Sequence, residues 1–307
     1  NDPGRFVTLV GYEWAGRQVH RNVHTSRGRL KLFRGMYPPT ANLDAVWEHF
    51  HGDEQVVGGP HAPLAHGLVW EHHDPTVERF VEVYSMWGAG DFRENPLVPR
   101  FARENPRGMT ANELLRAGAK LGFTGGGDCH EGHAGFSCED PVGQGTTSHT
   151  FAVRLLYRCG MTAAAMRDLD RPSLIHALRQ RRTYATTGAR ILLDLSAAGL
   201  PMGAEGQADE VECEVAVHGE DRIALVEIVK DGKVAWSHEC NALDVSLTWR
   251  DPNRPAREHY YYLHVVQADG QQAWSSPIWI RPTQWQHGPP RRHRGHGEET
   301  PDLSGPR

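Results

Sequence analysis

The sequence predicts an α/β layer or barrel over residues 1–191, followed by a small β-sandwich-like domain over 192–282. Three observations predict it. Short apolar runs alternate with helix-spaced segments through the first 190 residues, the grammar of strands and helices in turn. From Ile191 onward the apolar residues recur at every second position, and the turns are Asp231-Gly232 and Asp269-Gly270. A chain of 307 residues also has the length for two domains and a substantial core.

The elements follow in order. Phe6 to Tyr12 is an apolar run closed by Glu13, a buried strand delivering a carboxylate at its end. Leu43, Val46, Trp47 and Phe50 stand at helical spacing before Gly52. Val56 and Val57 form a strand that turns at Gly58-Gly59-Pro60-His61, and Phe80 to Ser85 is another strand. Thr110 and Glu113 make a capping box for a helix reaching Leu121, after which Phe123 to Asp128 returns as a short strand and glycine loop. Phe151 to Leu156 reads as a strand and Ser173 to Arg181 as a helix. In the second part Val211, Cys213, Val215 and Val217 alternate, Ile223 to Val229 enters a hairpin at Asp231-Gly232, and Leu243, Val245, Leu247 and Trp249 alternate again. Beyond Pro282 the composition collapses to Pro, Gly, Arg and His, so residues 283–307 read as a disordered, solvated tail.

Composition excludes several classes. The charge of −5 argues against a nucleic-acid binder driven by phosphate neutralisation, and no apolar run approaches the roughly 20 residues of a membrane helix. Five cysteines are too few and too odd for a disulfide scaffold, which favours a reducing, cytoplasmic setting. The chain starts at Asn1 with neither an initiator Met nor a signal-peptide pattern, as a processed protein or a fragment would. Eleven of the 19 histidines fall in residues 1–150, which directs attention to that half.

There, Glu13, His61, Asp128-Cys129-His130 and His20 sit where apolar strands meet glycine or proline turns. Neutral imidazole and carboxylate are the ligands of hydrolytic Zn²⁺, Mn²⁺ or Fe sites, and Asp128 and His130, two apart on a strand, would face the same way. Each has a plainer reading: His61 as an exposed turn residue, Glu13 as a salt-bridge partner, Asp128 as a turn former. Cys129, His130, His133 and Cys138 offer a rival structural zinc set, though without CxxC spacing. His130-Glu131-Gly132-His133 is one residue short of HExxH, and no Walker A loop, GxGxxG after a strand or GxSxG elbow occurs.

Taken together, GYEW (11–14), HRNV (20–23), GGPHAP (58–63), VEVYS (81–85), LGFTGGGDCHEG (121–132), RRTYATTGARILLDL (181–195) and AWSSPIWI (273–280) resemble the PHP (polymerase and histidinol phosphatase) superfamily. Within it they resemble a branch related to carbaryl-hydrolase-like metallohydrolases. The resemblance implies a distorted β/α barrel holding two or three metals. By position it implies that Glu13 bridges, that His20 and His61 are imidazole ligands (with His24 an alternative to His20), and that Asp128 and His130 form a final pair. Glu82 would support the ligands, and Arg21, Tyr184 and Arg190 would contact an anion or leaving group. The family's opening HxH strand has no counterpart here, so the resemblance implies an incomplete barrel, the later part of a longer protein.

The function expected is metal-dependent hydrolysis of an ester, a phosphoester first, with His130 or His61 as general acid and a second metal or Arg21 stabilising the oxyanion. A carboxyl- or carbamate-ester substrate would use the same one to three divalent ions (Zn, Mn or Fe). The rival is a non-catalytic binding module whose β domain presents Trp236, Trp249, Tyr260, Tyr262 and Trp274. Expected partners are a small-molecule ester and neither nucleic acid nor membrane; oligomeric state is open.

Overall fold

The computed structural model describes residues 1–16, 19–35, 42–128 and 159–284. Sixteen strands and five short α-helices form among these residues. The first half runs β1 (Val10–Gly16), β2 (Val19–Thr25), α1 (Leu43–Phe50), β3 (Val56–Pro60), α2 (Pro63–His66), β4 (Phe80–Ser85), β5 (Gly88–Ala89), α3 (Arg100–Arg103), α4 (Ala111–Arg116) and β6 (Gly122–Gly125). Then come β7 (Met161–Ala164), α5 (Arg171–Arg179), β8 (Thr183–Thr186), β9 (Leu192–Ala197), β10 (Leu200–Pro201) and β11 (Glu205–Gln207). The chain finishes with β12 (Glu212–Lys230), β13 (Lys233–Arg250), β14 (His259–Gln267), β15 (Gln272–Ser275) and β16 (Ile278–Arg281).

This architecture corrects the predicted fold class. The chain is mostly β, with a curled half-barrel sheet and few helices, and it is not the α/β, PHP-like β/α barrel expected for residues 1–191. The reason lies in strand pairing. β1, β2 and β3 join as an antiparallel meander, so no helical crossover separates β1 from β2. One parallel pair forms within the described sheets of this half, β4 with β6. β3 lies alongside the chain entering β4 through the bridge between Gly58 and Glu78. Gly59 allows this approach, because a Cβ there would strike the Phe80 carbonyl.

Local elements follow the residue pattern more closely than the topology does. α1 opens with the Asn42 side chain accepting from the Ala45 amide at 3.0 Å, and buries Leu43, Val46, Trp47 and Phe50 against Trp14, Val23 and Val56. α4 carries the Thr110–Glu113 capping box but stops at Arg116, short of Leu121. α5 packs Ile175 and Leu178 onto the other side of β3 and β4, against Val57 and Phe80. Glu13 lies in the middle of β1 rather than at its end, since the strand starts at Val10.

The ten-stranded sheet crosses the expected boundary at 191: β8 pairs with β7 and β15, so hydrogen bonding continues from one half into the other. β12 turns the corner of the sandwich. Its first part, through His218, pairs with β9, and from Ile223 it pairs with β14, with register shifts between. The β12–β13 hairpin closes through Asp231 (φ 51°) and Gly232 (φ 73°), the left-handed pair that suits strand twist. The strand expected at 151–156 and the tail from 285 to 307 lie outside the described residues. Among the described residues no helix is long and apolar enough to cross a membrane.

A buried polar network joins the halves. The Trp274 indole donates to Asp91 at 2.8 Å, Asn95 donates to Asp91 and Gln272, and Asn112 donates to the Tyr262 hydroxyl at 2.8 Å. Tyr260, Tyr262 and Trp274 are therefore core residues, which removes them from the aromatic binding face that sequence allowed. Trp236 and Trp249 remain partly buried at the sandwich edge, their rings 6.5 Å apart.

A second buried set centres on Asp251, which accepts from Lys230 at 2.6 Å and from the Tyr261 hydroxyl at 2.8 Å. Burial pushes this carboxyl up, but Lys230, the Asn253 amide and Tyr261 outweigh it and hold the group below its usual value. A depressed folded pKa stabilises above the unfolded carboxylate value and is lost as pH falls through the folded one. Asp251→Asn should therefore cost about 2–4 kcal/mol in urea unfolding at neutral pH. The gap from wild type should narrow in acid, as the wild-type carboxylate protonates; a constant gap down to the acid transition would count against this assignment.

Candidate metal centre

β1 and β2 deliver Glu13 and His20 to one side of the meander, where the two side chains form an ion pair. β3 ends at Pro60, and the next residue, His61, turns inward and is almost fully buried. Ala62 adopts a left-handed conformation (φ 38°) and Pro63 starts the single-turn α2, which places His66 beside His61. β4 carries Glu82 into the same region, and Asp128 arrives three residues beyond β6, itself left-handed at φ 50°. Asp128 is therefore off the strand, and its expected partner His130 lies outside the described residues. Gly126 lies against the Glu82 carboxylate, and a Cβ there would require the end of the Glu82 side chain to move.

One ligand atom from each of His61, His66 and Asp128 lies within 4.8 Å of the others. His61 Nδ1 is 2.9 Å from Glu82 Oε1, and His61 Nε2 is 3.4 Å from Asp128 Oδ2. Neither His61 nitrogen makes an aligned hydrogen bond, and His66 Nε2 and Glu82 Oε1 are likewise buried without one. The His20 and His66 rings stack at 4.3 Å and 8°. Three carboxylates and three imidazoles thus converge on a partly buried site.

Their electrostatics reflect that crowding. Burial would push His61 down, but the Glu82 and Asp128 carboxylates outweigh it and hold the imidazole well above its ordinary value. Burial pushes His66 down to about 3, with the neighbouring His20 and His61 adding to the effect, so its ring is a neutral donor. Burial raises the Glu13 carboxyl, yet the hydrogen bond from His20 and the charges of His61 and His20 bring it below the usual range.

Of the residues predicted from sequence, Glu13, His20, His61 and Asp128 share this neighbourhood. His130 lies outside the described residues, as do Cys129, His133 and Cys138 of the rival zinc set. Arg21 does not face the site. It sits on the opposite face of β2 from His20, fully buried, with its guanidinium donating to Glu78 at 2.5 Å and to the His20 and Val69 carbonyls at 3.3 Å. The oxyanion role expected for Arg21 is corrected accordingly, and strand alternation already separates it from His20. His24 packs near Phe80, with burial pushing it down to about 4. Tyr184 packs against the sandwich core and Arg190 is exposed. His66 was missed: it ends a four-residue helix too short to show a period, and its only signal was a histidine five residues after His61.

No known-family profile matches the chain. It is 31% identical over 315 residues to an uncharacterized protein of Chlamydia pneumoniae, covering 91% of this chain and 47% of that protein. It is 31% identical over 313 residues to an uncharacterized protein of Chlamydia trachomatis, again covering 91% of this chain and 47% of the relative. The chain spans about half the length of the curated relatives it matches. Among solved structures, the sulfur carrier protein SoxY from Chlorobium limicola f thiosulfatophilum aligns with 29% of this chain and 77% of its own, at 13% identity and a TM-score of 0.23. CopC from Methylosinus trichosporium OB3b aligns with 32% of this chain and 99% of its own, at 14% identity and a TM-score of 0.22. Likenesses this slight bear on neither fold nor function.

Proposed function

We propose that His61, His66 and Asp128 hold a divalent metal and that the chain contributes to metal-dependent hydrolysis of an ester, a phosphoester first. The observation that carries this reading is the convergence of those three donors within 4.8 Å, with His66 Nε2 buried and without a hydrogen-bond partner. Buried polar atoms left unpaired are costly, so a donor set in that condition fits a cation. When bound, a divalent metal supplies Lewis acidity and a nucleophilic water near neutral pH. Glu82 beside His61 Nδ1 orients that ring, leaving Nε2 on the Asp128 side. His20, held by Glu13 and stacked on His66, takes and returns a proton at the edge of the site. The PHP resemblance supports the substrate class through its motifs alone.

The test is metal content by plasma mass spectrometry on the purified chain, beside a His61→Ala/Asp128→Ala double variant. Near-stoichiometric Zn, Mn or Fe in the wild type, lost in the variant, is expected. Turnover of a phosphate ester should exceed that of carboxyl and carbamate esters and follow metal content. A folded wild type holding no more metal than the variant would overturn the site; metal without turnover of any ester would overturn the hydrolase.

A further inference from the structure

We infer that Trp87 is a positioning residue for the metal centre: its indole fixes Asp128 while its ring edge braces His66. This rests on the metal-site reading above and adds a residue that no sequence motif pointed to. Trp87 stands at the tip of the β4–β5 hairpin, where Ser85 pairs with Gly88 and Gly88 adopts φ 88°. The strand that brings Glu82 to the cluster thus turns back within two residues and projects an indole across it.

Two contacts define the role. Trp87 Nε1 donates to Asp128 Oδ2 at 2.7 Å, the same oxygen that lies 3.4 Å from His61 Nε2. The Trp87 ring meets the His66 ring edge-on, at 4.6 Å and 73°. One side chain therefore touches two of the three ligand-bearing residues. Asp128 has particular need of such support, because it sits in left-handed backbone beyond the end of β6 and has no strand ladder to orient it. A donor to a ligating carboxylate selects which way the carboxylate turns and lowers the ordering cost of binding. Phe101 only borders the indole, edge-on at 6.1 Å and 84°, and is itself 44% exposed.

The experiment compares Zn²⁺ affinity of wild type, Trp87→Phe and Phe101→Ala by calorimetry, with ¹⁹F spectra of 5-fluorotryptophan-labelled protein. Trp87→Phe keeps an aromatic ring but loses the indole N–H, and should weaken Zn²⁺ binding by about 10–100-fold. Phe101→Ala keeps the hydrogen bond and should remain within threefold of wild type. The ¹⁹F resonance that Trp87→Phe deletes should shift most when Zn²⁺ is added to wild type, a signature that a purely structural tryptophan would lack. Equal affinity of Trp87→Phe and wild type, or equal losses in the two variants, would overturn the positioning role while leaving the metal site standing. A wild type that binds no Zn²⁺, Mn²⁺ or Fe²⁺ would overturn the metal site and this inference with it.

Discussion

Trp274→Ala should destabilise the chain by about 4 kcal/mol or more, the largest single loss of stability we expect. The ring is fully buried, stacked between Tyr84 at 5.9 Å and His264 at 5.4 Å. Truncating a buried tryptophan costs roughly 3–5 kcal/mol through lost transfer energy and the residual cavity. The substitution also takes away the indole that donates to Asp91, a buried carboxyl that Asn95 and the local backbone amides also serve. Weakening that shell adds about 1–3 kcal/mol. Against a total stability of about 5–15 kcal/mol, such a loss brings the folded state near its limit. Urea denaturation checks it: the midpoint should fall sharply with the slope unchanged, and Trp274→Phe should recover most of the packing. A midpoint shift worth less than about 1 kcal/mol would mean that Trp274 does not tie the two halves together.

His66→Ala should cost more metal affinity than the roughly 10–100-fold that loss of a supporting partner brings, because it removes a donor. Stability without metal should change little, since His66 ends a single turn of helix and is only half-buried. That separation of effects is the check. Calorimetric Zn²⁺ titration should show the loss while urea midpoints in chelator stay within about 1 kcal/mol of wild type. If His66→Ala binds Zn²⁺ as wild type does, the donor set must be drawn from Glu13 and His20 instead.

The fold was legible in the sequence wherever a feature is local. The helix at α1 follows from four apolar residues at helical spacing before Gly52, the α4 start from the Thr110–Glu113 box, and the β12–β13 hairpin from Asp231-Gly232. The α/β class was misread because alternation identifies a strand without naming its neighbour. Phe6 to Tyr12 reads equally well as a member of a parallel barrel or of a meander, and the pairing of β1 with β2 that decides between them is a contact between chain segments.

The site divides along the same line. Residue type and position at strand ends marked Glu13, His61 and Asp128, since imidazoles and carboxylates beside glycine turns are chemically conspicuous in sequence. His66, Glu82 against His61, and the indole of Trp87 depend on how α2, β4 and the β4–β5 turn are stacked. Arg21 shows the converse: its motif position in the resemblance made it a candidate, and the structure buries it in an ion pair with Glu78. Sequence alone determined which local elements form and which side chains can bear a ligand. Tertiary structure decided which of them meet, because the candidate donors His61, His66 and Asp128 lie within 4.8 Å of one another although His61 and Asp128 stand 67 positions apart along the chain.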